Sequence, residues 1–254
     1  MSKFVMKNLN QTFMVKKAII VGASSGIGKG LAELLVKNGY IVGITGRREA
    51  LLNELKSTAP NSYIVKCFDI DDYLNIETNL NELANELGDV DLFILSSGTG
   101  KRNPELELSY EVMTFNTNIA GFTSAINWAY KYFERRGGGS LSAITSIAGL
   151  RGFSMSPSYS ASKSYQIKYI EALRQKSRCD GRKILVTDIR PGFVDTAMGN
   201  GDGAFWIAPV EKSSVQILSA IRKGKGVVYI TKRWFFVALF LKIIPNSIFE
   251  RVRL

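Results

Sequence analysis

Three residues in the middle of the 254-residue chain have types and spacing suited to proton chemistry: Ser146, Tyr159 thirteen positions later, and Lys163 four after that. On a helix, side chains at i and i+4 share a face, so Tyr159 and Lys163 would project together. A free phenol, with a pKa of ~10, is a poor acid–base group at neutral pH. A neighbouring ammonium stabilises the phenolate and pulls that value down. Ser146 could hydrogen-bond a substrate oxygen as charge develops on it. The chemistry is then hydride movement to or from a carbon bearing oxygen, with Tyr159 carrying the proton. Taken alone, Tyr-x-x-x-Lys is common on plain helix surfaces, and it needs a cofactor turn beside it to carry this reading. The chain contains no histidine, which removes Ser-His-Asp and Cys-His catalysis and every His-liganded zinc site. No metal site is expected.

Such a turn stands upstream. An apolar run over 17–21 leads into Gly22-Ala23-Ser24-Ser25-Gly26-Ile27-Gly28, and a helical pattern follows. Gly22 permits a sharp exit from the strand, Gly26 leaves room for a pyrophosphate, and Gly28 lets the helix pack close to the sheet. The helix start offers free N–H groups and a positive dipole end. The strand–turn–helix context separates this from a merely structural glycine turn. The second apolar run ends Thr45-Gly46-Arg47-Arg48. A carboxylate suited to a ribose 2′-OH is missing, and two guanidinium groups suited to a 2′-phosphate are present. With Ser24 and Ser25 as further donors, the expected cofactor is NADP(H). A solvated helix start is the competing reading of the arginines, though cations there oppose the helix dipole.

The elements that position these residues alternate along the chain. Short apolar runs over 17–21, 40–45, 63–68, 91–96, 140–145, 184–188 and 227–231 predict strands. Amphipathic stretches over 28–38, 49–57, 73–87, 107–135, 158–179 and 209–223 predict helices. This order predicts an α/β doubly wound Rossmann fold: an approximately seven-stranded parallel sheet with helices on both faces. The domain plan is an N-terminal extension over 1–15, a catalytic domain over 16–231 and an apolar, basic tail over 232–254, packed on the core, a partner subunit or a membrane surface.

Charge is concentrated at the ends. The net charge is +11, of which residues 1–17 carry +4 and residues 222–254 carry +7, leaving the body close to neutral. Nucleic-acid readers place basic residues on the element that enters the groove, so no nucleic-acid partner is expected. Solvated ends, or attraction to an anionic membrane, remain open. Two cysteines give no disulfide framework, so a reducing, cytoplasmic setting is expected, with membrane association through the tail as an alternative. Residues 1–15 lack the apolar core and cleavage site of a signal peptide. The run that opens the tail at Trp234 is too short to span a bilayer, and could lie in an interface or pack on protein.

Assembled, these motifs resemble those of the short-chain dehydrogenase/reductase family, over roughly 16–231. GASSGIG at 22–28 looks like its cofactor turn, and TSIAGLRGFSMSPSYSASKS looks like its Ser-Tyr-Lys region. RPGFVDT at 190–196 looks like its Pro-Gly turn beside the nicotinamide. The resemblance implies cofactor contacts from Pro191, Gly192, Val194 and Thr196, adenine-flanking positions at Asp69 and Ile70, and an open backbone at Gly98. It also implies cofactor contacts from Tyr159 and Lys163. Asn118 resembles a fourth active-site residue that holds a helix bulge and a water leading to the lysine. Asn116 offers an alternative register, and the Asn-x-x-Gly spacing favours Asn118. One departure is Ser96-Ser97-Gly98, where the family often has Asn-Ala-Gly. The implied activity is reduction of a carbonyl to an alcohol, or the reverse, on a small hydrophobic substrate. A non-turnover redox sensor or scaffold, and a membrane protein acting through its tail, are the alternatives. Assembly as a homodimer or homotetramer through the 107–135 and 158–179 helices is implied. Residues 197–208 read as a mobile substrate loop, with Phe205 and Trp206 closing over a ligand or docking the loop, and Phe153, Met155 and Tyr165 beside it.

Overall fold

The computed structural model describes residues 16–200 and 204–251. Seven strands form, β1 (Lys17–Val21), β2 (Ile41–Gly46), β3 (Tyr63–Cys67), β4 (Leu92–Leu95), β5 (Gly139–Ile144), β6 (Ile184–Pro191) and β7 (Val227–Ile230). They make one all-parallel sheet in the order β3-β2-β1-β4-β5-β6-β7. The helices are α1 (Gly26–Lys37), α2 (Glu49–Ser57), α3 (Ile76–Leu87), α4 (Leu108–Phe115), α5 (Phe122–Arg136), α6 (Pro157–Cys179), α7 (Val210–Arg222), α8 (Trp234–Ile243) and α9 (Asn246–Phe249).

The central strands read as unbroken apolar runs because both faces are covered. Successive side chains point to opposite faces, so Ile19 and Val21 join Phe93 and Leu95 under α3 and α5, while Ala18 and Ile20 join Ile44 and Ile94 under α1 and α7. The order reverses at β1, which leads to β2 and β3 on one side and borders β4 on the other. Crevices at such a switch point, beyond the carboxyl ends of the strands, are where this architecture holds ligands.

Three differences from the sequence reading have physical causes. The single helix expected over 107–135 is broken by a π-helical turn (Asn116–Gly121) between α4 and α5. Periodicity over the whole stretch stays apolar enough to hide one inserted turn. Second, β6 continues past Asp188 to Pro191, because Ile189, Arg190 and Pro191 stay in register with Val228, Tyr229 and Ile230. Arg190 is tolerated inside: its guanidinium donates to the Asp188 carboxylate at 2.6 and 2.7 Å, and Thr145 donates to the other oxygen at 2.6 Å. Third, the tail forms α8 and α9, with Trp234, Ala238 and Leu241 buried. The expected extension over 1–15 lies outside the described residues, as do 201–203 within the expected loop.

Candidate active site

The glycine turn leaves β1 through Gly22, whose φ of 91° suits a residue without a Cβ. A Cβ at Gly28 would lie 2.0 Å from the Gly22 carbonyl oxygen, so α1 starts hard against the turn. Ser25, at the start of α1, makes no capping bond with its side chain, and no acid occupies the first turn. The N–H groups at this end therefore keep their capacity for an anion. Ile27 contributes backbone there, while its side chain packs towards the core under α1. The two arginines part company. Arg48 donates from Nη2 to Ser24 Oγ and Ser25 Oγ, both at 2.7 Å, and makes no ion pair among the described residues. Arg47 turns to Asp69, 3.8 Å away across an exposed gap. Asp69 also accepts from the Asp71 N–H, and Ile70 is buried against Gly121.

The second cluster forms where β4 and β5 end. Ser146 starts a 3-10 turn (Ile147–Leu150), and its Oγ accepts from the Ala148 N–H at 3.1 Å. Tyr159 stands in the first turn of α6, which Pro157 opens. Burial pushes the Tyr159 phenol above its ordinary value, and the nearby Ser146 hydroxyl pulls the other way. Lys163 sits one turn on, its Nζ 5.8 Å from the Tyr159 ring centroid. Burial brings the Lys163 amine down to about 8, with the Asp188 carboxylate partly opposing. Nζ donates to the Ile144 carbonyl at 3.2 Å and to Gln166 Oε1 at 2.9 Å. Its third N–H has no acceptor among the described residues.

Asn118 lies in the π-helical turn and is fully buried. Its side chain accepts from the Thr99 N–H at 2.9 Å and donates to the Thr99 carbonyl at 2.7 Å. The loop after Gly98 is thus clamped by Asn118 in spite of the serine substitution before it. A Cβ at Gly98 would lie 3.3 Å from Lys163 Nζ and 3.5 Å from Asn118 Oδ1. Across the crevice, the chain after Pro191 and Gly192 bends at Val194, which bridges to Ala208. The Thr196 methyl reaches within 3.0 Å of a Cβ built at Gly26, so the turn after β6 closes over the turn after β1.

The structure therefore gathers Ser146, Tyr159, Lys163, Asn118 and Gly98 at one end of the crevice, and Ser24, Ser25, Arg47, Arg48 and Asp69 at the other. Gly26 and Thr196 meet between them. Of the aromatic residues expected beside the substrate, Tyr165 is elsewhere: it stacks on Tyr169 and hydrogen-bonds Thr123 on the α5 side. A helical step of two from Lys163 already turns it away.

Comparison with known proteins gives the family of the chain. The short chain dehydrogenase profile matches residues 16–204. The chain belongs to the short chain dehydrogenase family. An uncharacterized oxidoreductase of Mycobacterium tuberculosis is 31% identical over 191 residues, covering 72% of this chain and 75% of the relative. The human 3-oxoacyl-[acyl-carrier-protein] reductase is 27% identical over 187 residues, covering 73% and 78%. Among solved structures, ElxO with NADP bound superposes with a TM-score of 0.75 at 23% identity, covering 85% of this chain and 97% of that one. This dehydrogenase-family chain is thus an oxidoreductase by family, on a Rossmann-like sheet.

Sequence reasoning missed Gln166 and two glycines. Gln166 is fully buried, with Oε1 on Lys163 and Nε2 donating to the Asn118 carbonyl at 2.9 Å. Its spacing of three from Lys163 was the available signal. Cβ atoms at Gly100 and Gly149 would lie 2.3 Å from the Tyr159 ring and 2.5 Å from the Lys163 backbone, so both fix where α6 sits.

Proposed function

We propose that this protein is an NADP(H)-dependent oxidoreductase that interconverts a carbonyl and an alcohol. The observation that carries the reading is the buried Lys163 amine set one helical turn from Tyr159, its Nζ 5.8 Å from the phenol ring and its third N–H without an acceptor among the described residues. The crevice residues fit the cofactor. Free N–H groups at the start of α1 suit a pyrophosphate, and Arg48 with two serine hydroxyls and no carboxylate partner among the described residues suits a 2′-phosphate. When bound, NADPH supplies the hydride.

The chain's own residues handle the oxygen. Ser146 accepts from Ala148, so its own O–H is free to donate to the substrate oxygen. Tyr159 delivers the proton to that oxygen in reduction and removes it in oxidation. Burial raises the Tyr159 phenol and the Ser146 hydroxyl opposes it; in this reading the positive end of α6 and a charged Lys163 would further favour the phenolate once substrate is bound. Lys163 in turn is oriented by Ile144 and Gln166. The human relative's name gives 3-oxoacyl reduction, a carbonyl chemistry of the same class.

The test is NADPH consumption against a panel of aldehydes, ketones, quinones and steroid-like carbonyls, with NADH in parallel and Tyr159→Phe as control. Turnover by the wild type that falls ~10²–10⁴-fold in the variant supports the reading. Turnover unchanged by Tyr159→Phe, or no binding of NADPH, overturns it.

A further inference from the structure

We propose that the outward face of α8 docks the protein in the plane of an anionic lipid bilayer. Helix α8 buries Trp234, Ala238 and Leu241 on one side. On the other side Phe235, Phe236, Leu239, Phe240 and Ile243 are exposed, Phe236 and Ile243 to 70% and 68%. At about 100° per residue these five fall on one continuous arc of roughly 140°. No polar residue interrupts that arc, and Lys242 falls at its edge. A surface helix on a water-facing protein carries polar side chains on this face. Five large apolar groups in one patch call for a cover.

Charge selects the cover. Residues 232–251 contain Lys232, Arg233, Lys242 and Arg251 against the single acid Glu250. A two-fold contact through this face would bring two such basic stretches together, which like-charge repulsion disfavours. An anionic bilayer complements them, and an apolar face rimmed by lysine and arginine is the pattern of a helix lying in the interface. The helix does not cross: its ten residues reach ~15 Å, half of a ~30 Å hydrocarbon core, and no described helix is long and apolar enough to span.

The patch also continues into the body. Trp206 and Phe205, each about half exposed, pack their rings 5.9 and 5.1 Å from Trp234. Arg233 lies over the Trp206 ring at 5.3 Å and donates to its carbonyl at 2.7 Å. Arg151, five residues past Ser146, donates to the Ile244 carbonyl at 2.6 Å, and Phe153 meets Phe249. The face is therefore fastened to the two segments that flank the crevice. Resting on the oxidoreductase reading above, this docking places the crevice mouth beside the lipid and selects membrane-dissolved carbonyl substrates.

Co-sedimentation of the full chain with vesicles tests the docking without any turnover. The vesicles are phosphatidylcholine alone, and equimolar phosphatidylcholine and phosphatidylglycerol. The wild type should pellet with the anionic vesicles only. The double change Phe236→Ser and Phe240→Ser, both on the exposed arc, should cut partitioning about tenfold or more with the melting curve unchanged. Lys232→Gln with Lys242→Gln should weaken binding and reduce its salt dependence. Tyr159→Phe should bind as the wild type does, so a failure of the catalytic reading leaves this result standing. A wild type that stays in the supernatant with both vesicle types overturns the proposal. So does a solution dimer that Phe236→Ser and Phe240→Ser dissociates, which would make the face a contact between copies.

Discussion

Replacing Lys163 by Met should change stability in a way that depends on pH, with a predictable sign. The folded-state value of the Lys163 amine lies near 8, against an ordinary 10.5, chiefly because of burial. Below pH 8 the amine is charged in both folded and unfolded chains, and burying the charge costs the folded state its full penalty. Above 8 the folded state releases the proton while the unfolded chain still holds it. Stability from this group therefore rises with pH between 8 and 10.5, by ~1.4 kcal/mol per unit, for a total of about 3 kcal/mol. The loss of the bonds to Ile144 and Gln166 adds an offset that does not vary with pH. Other titrating groups are shared by both proteins and cancel in the difference. Urea unfolding of wild type and Lys163→Met at about pH 7 and about pH 9.5 should show the wild type gaining ~2 kcal/mol on the variant. A difference that is flat across this interval refutes the argument, because the amine would then titrate at its ordinary value in spite of its burial.

Further outcomes follow from the structure. Arg48→Leu should weaken NADPH binding about 10–100-fold, from the loss of a charge-assisted contact, while Arg47→Leu, whose partner is Asp69, should do less. Adding Gly46→Asp, whose Cβ would lie 3.4 Å from Ser24 Oγ, should turn the preference to NADH in fluorescence titrations. Gln166→Leu should cost about 2–4 kcal/mol in urea unfolding, by stripping Lys163 and the Asn118 carbonyl of buried partners, and Gln166→Glu should flatten the Lys163 pH slope by raising the amine again. Helix α4 exposes Leu108, Val112 and Phe115 beside a groove that Ile119 and Ala161 also line. If copies pair through this surface, Val112→Glu with Phe115→Asp should lower the mass found by light scattering to that of one chain.

The parts of the fold and site that were legible in the sequence are those fixed by local rules. Gly22, Gly26 and Gly28 follow one strand directly, so the turn they make is decided within seven residues. Tyr159 and Lys163 are neighbours by helical spacing alone. Strand positions were readable because continuous apolar runs are forced on a sheet covered on both faces. What was hidden depends on non-local partners. Arg190 looks like the end of a strand until Asp188 and Tyr229 are seen to satisfy it inside the sheet. The π-helical turn changes the hydrogen-bond spacing over six residues without disturbing the apolar pattern enough to show. Gln166 reads as an ordinary polar helix residue, because its role needs both Lys163 and a carbonyl from a different element. The division of labour between Arg47 and Arg48 depended on where Asp69 lies, which adjacency in sequence does not reveal. Helix α8 was ambiguous because a run that is apolar all round has no preferred period.

The position of Gln166 bears on how protons travel. A water between Lys163 and the Asn118 carbonyl could take a proton on one side and release one on the other. The amide that stands there instead offers hydrogen bonds on both sides and passes nothing through, since its N–H does not ionise in this range. Lys163 is thereby insulated on its inner side. The one N–H of the amine without an acceptor among the described residues is then the one open to exchange. If the proposed cofactor and substrate fill the crevice, they would stand on the amine's route to bulk solvent, a valve as well as reactants.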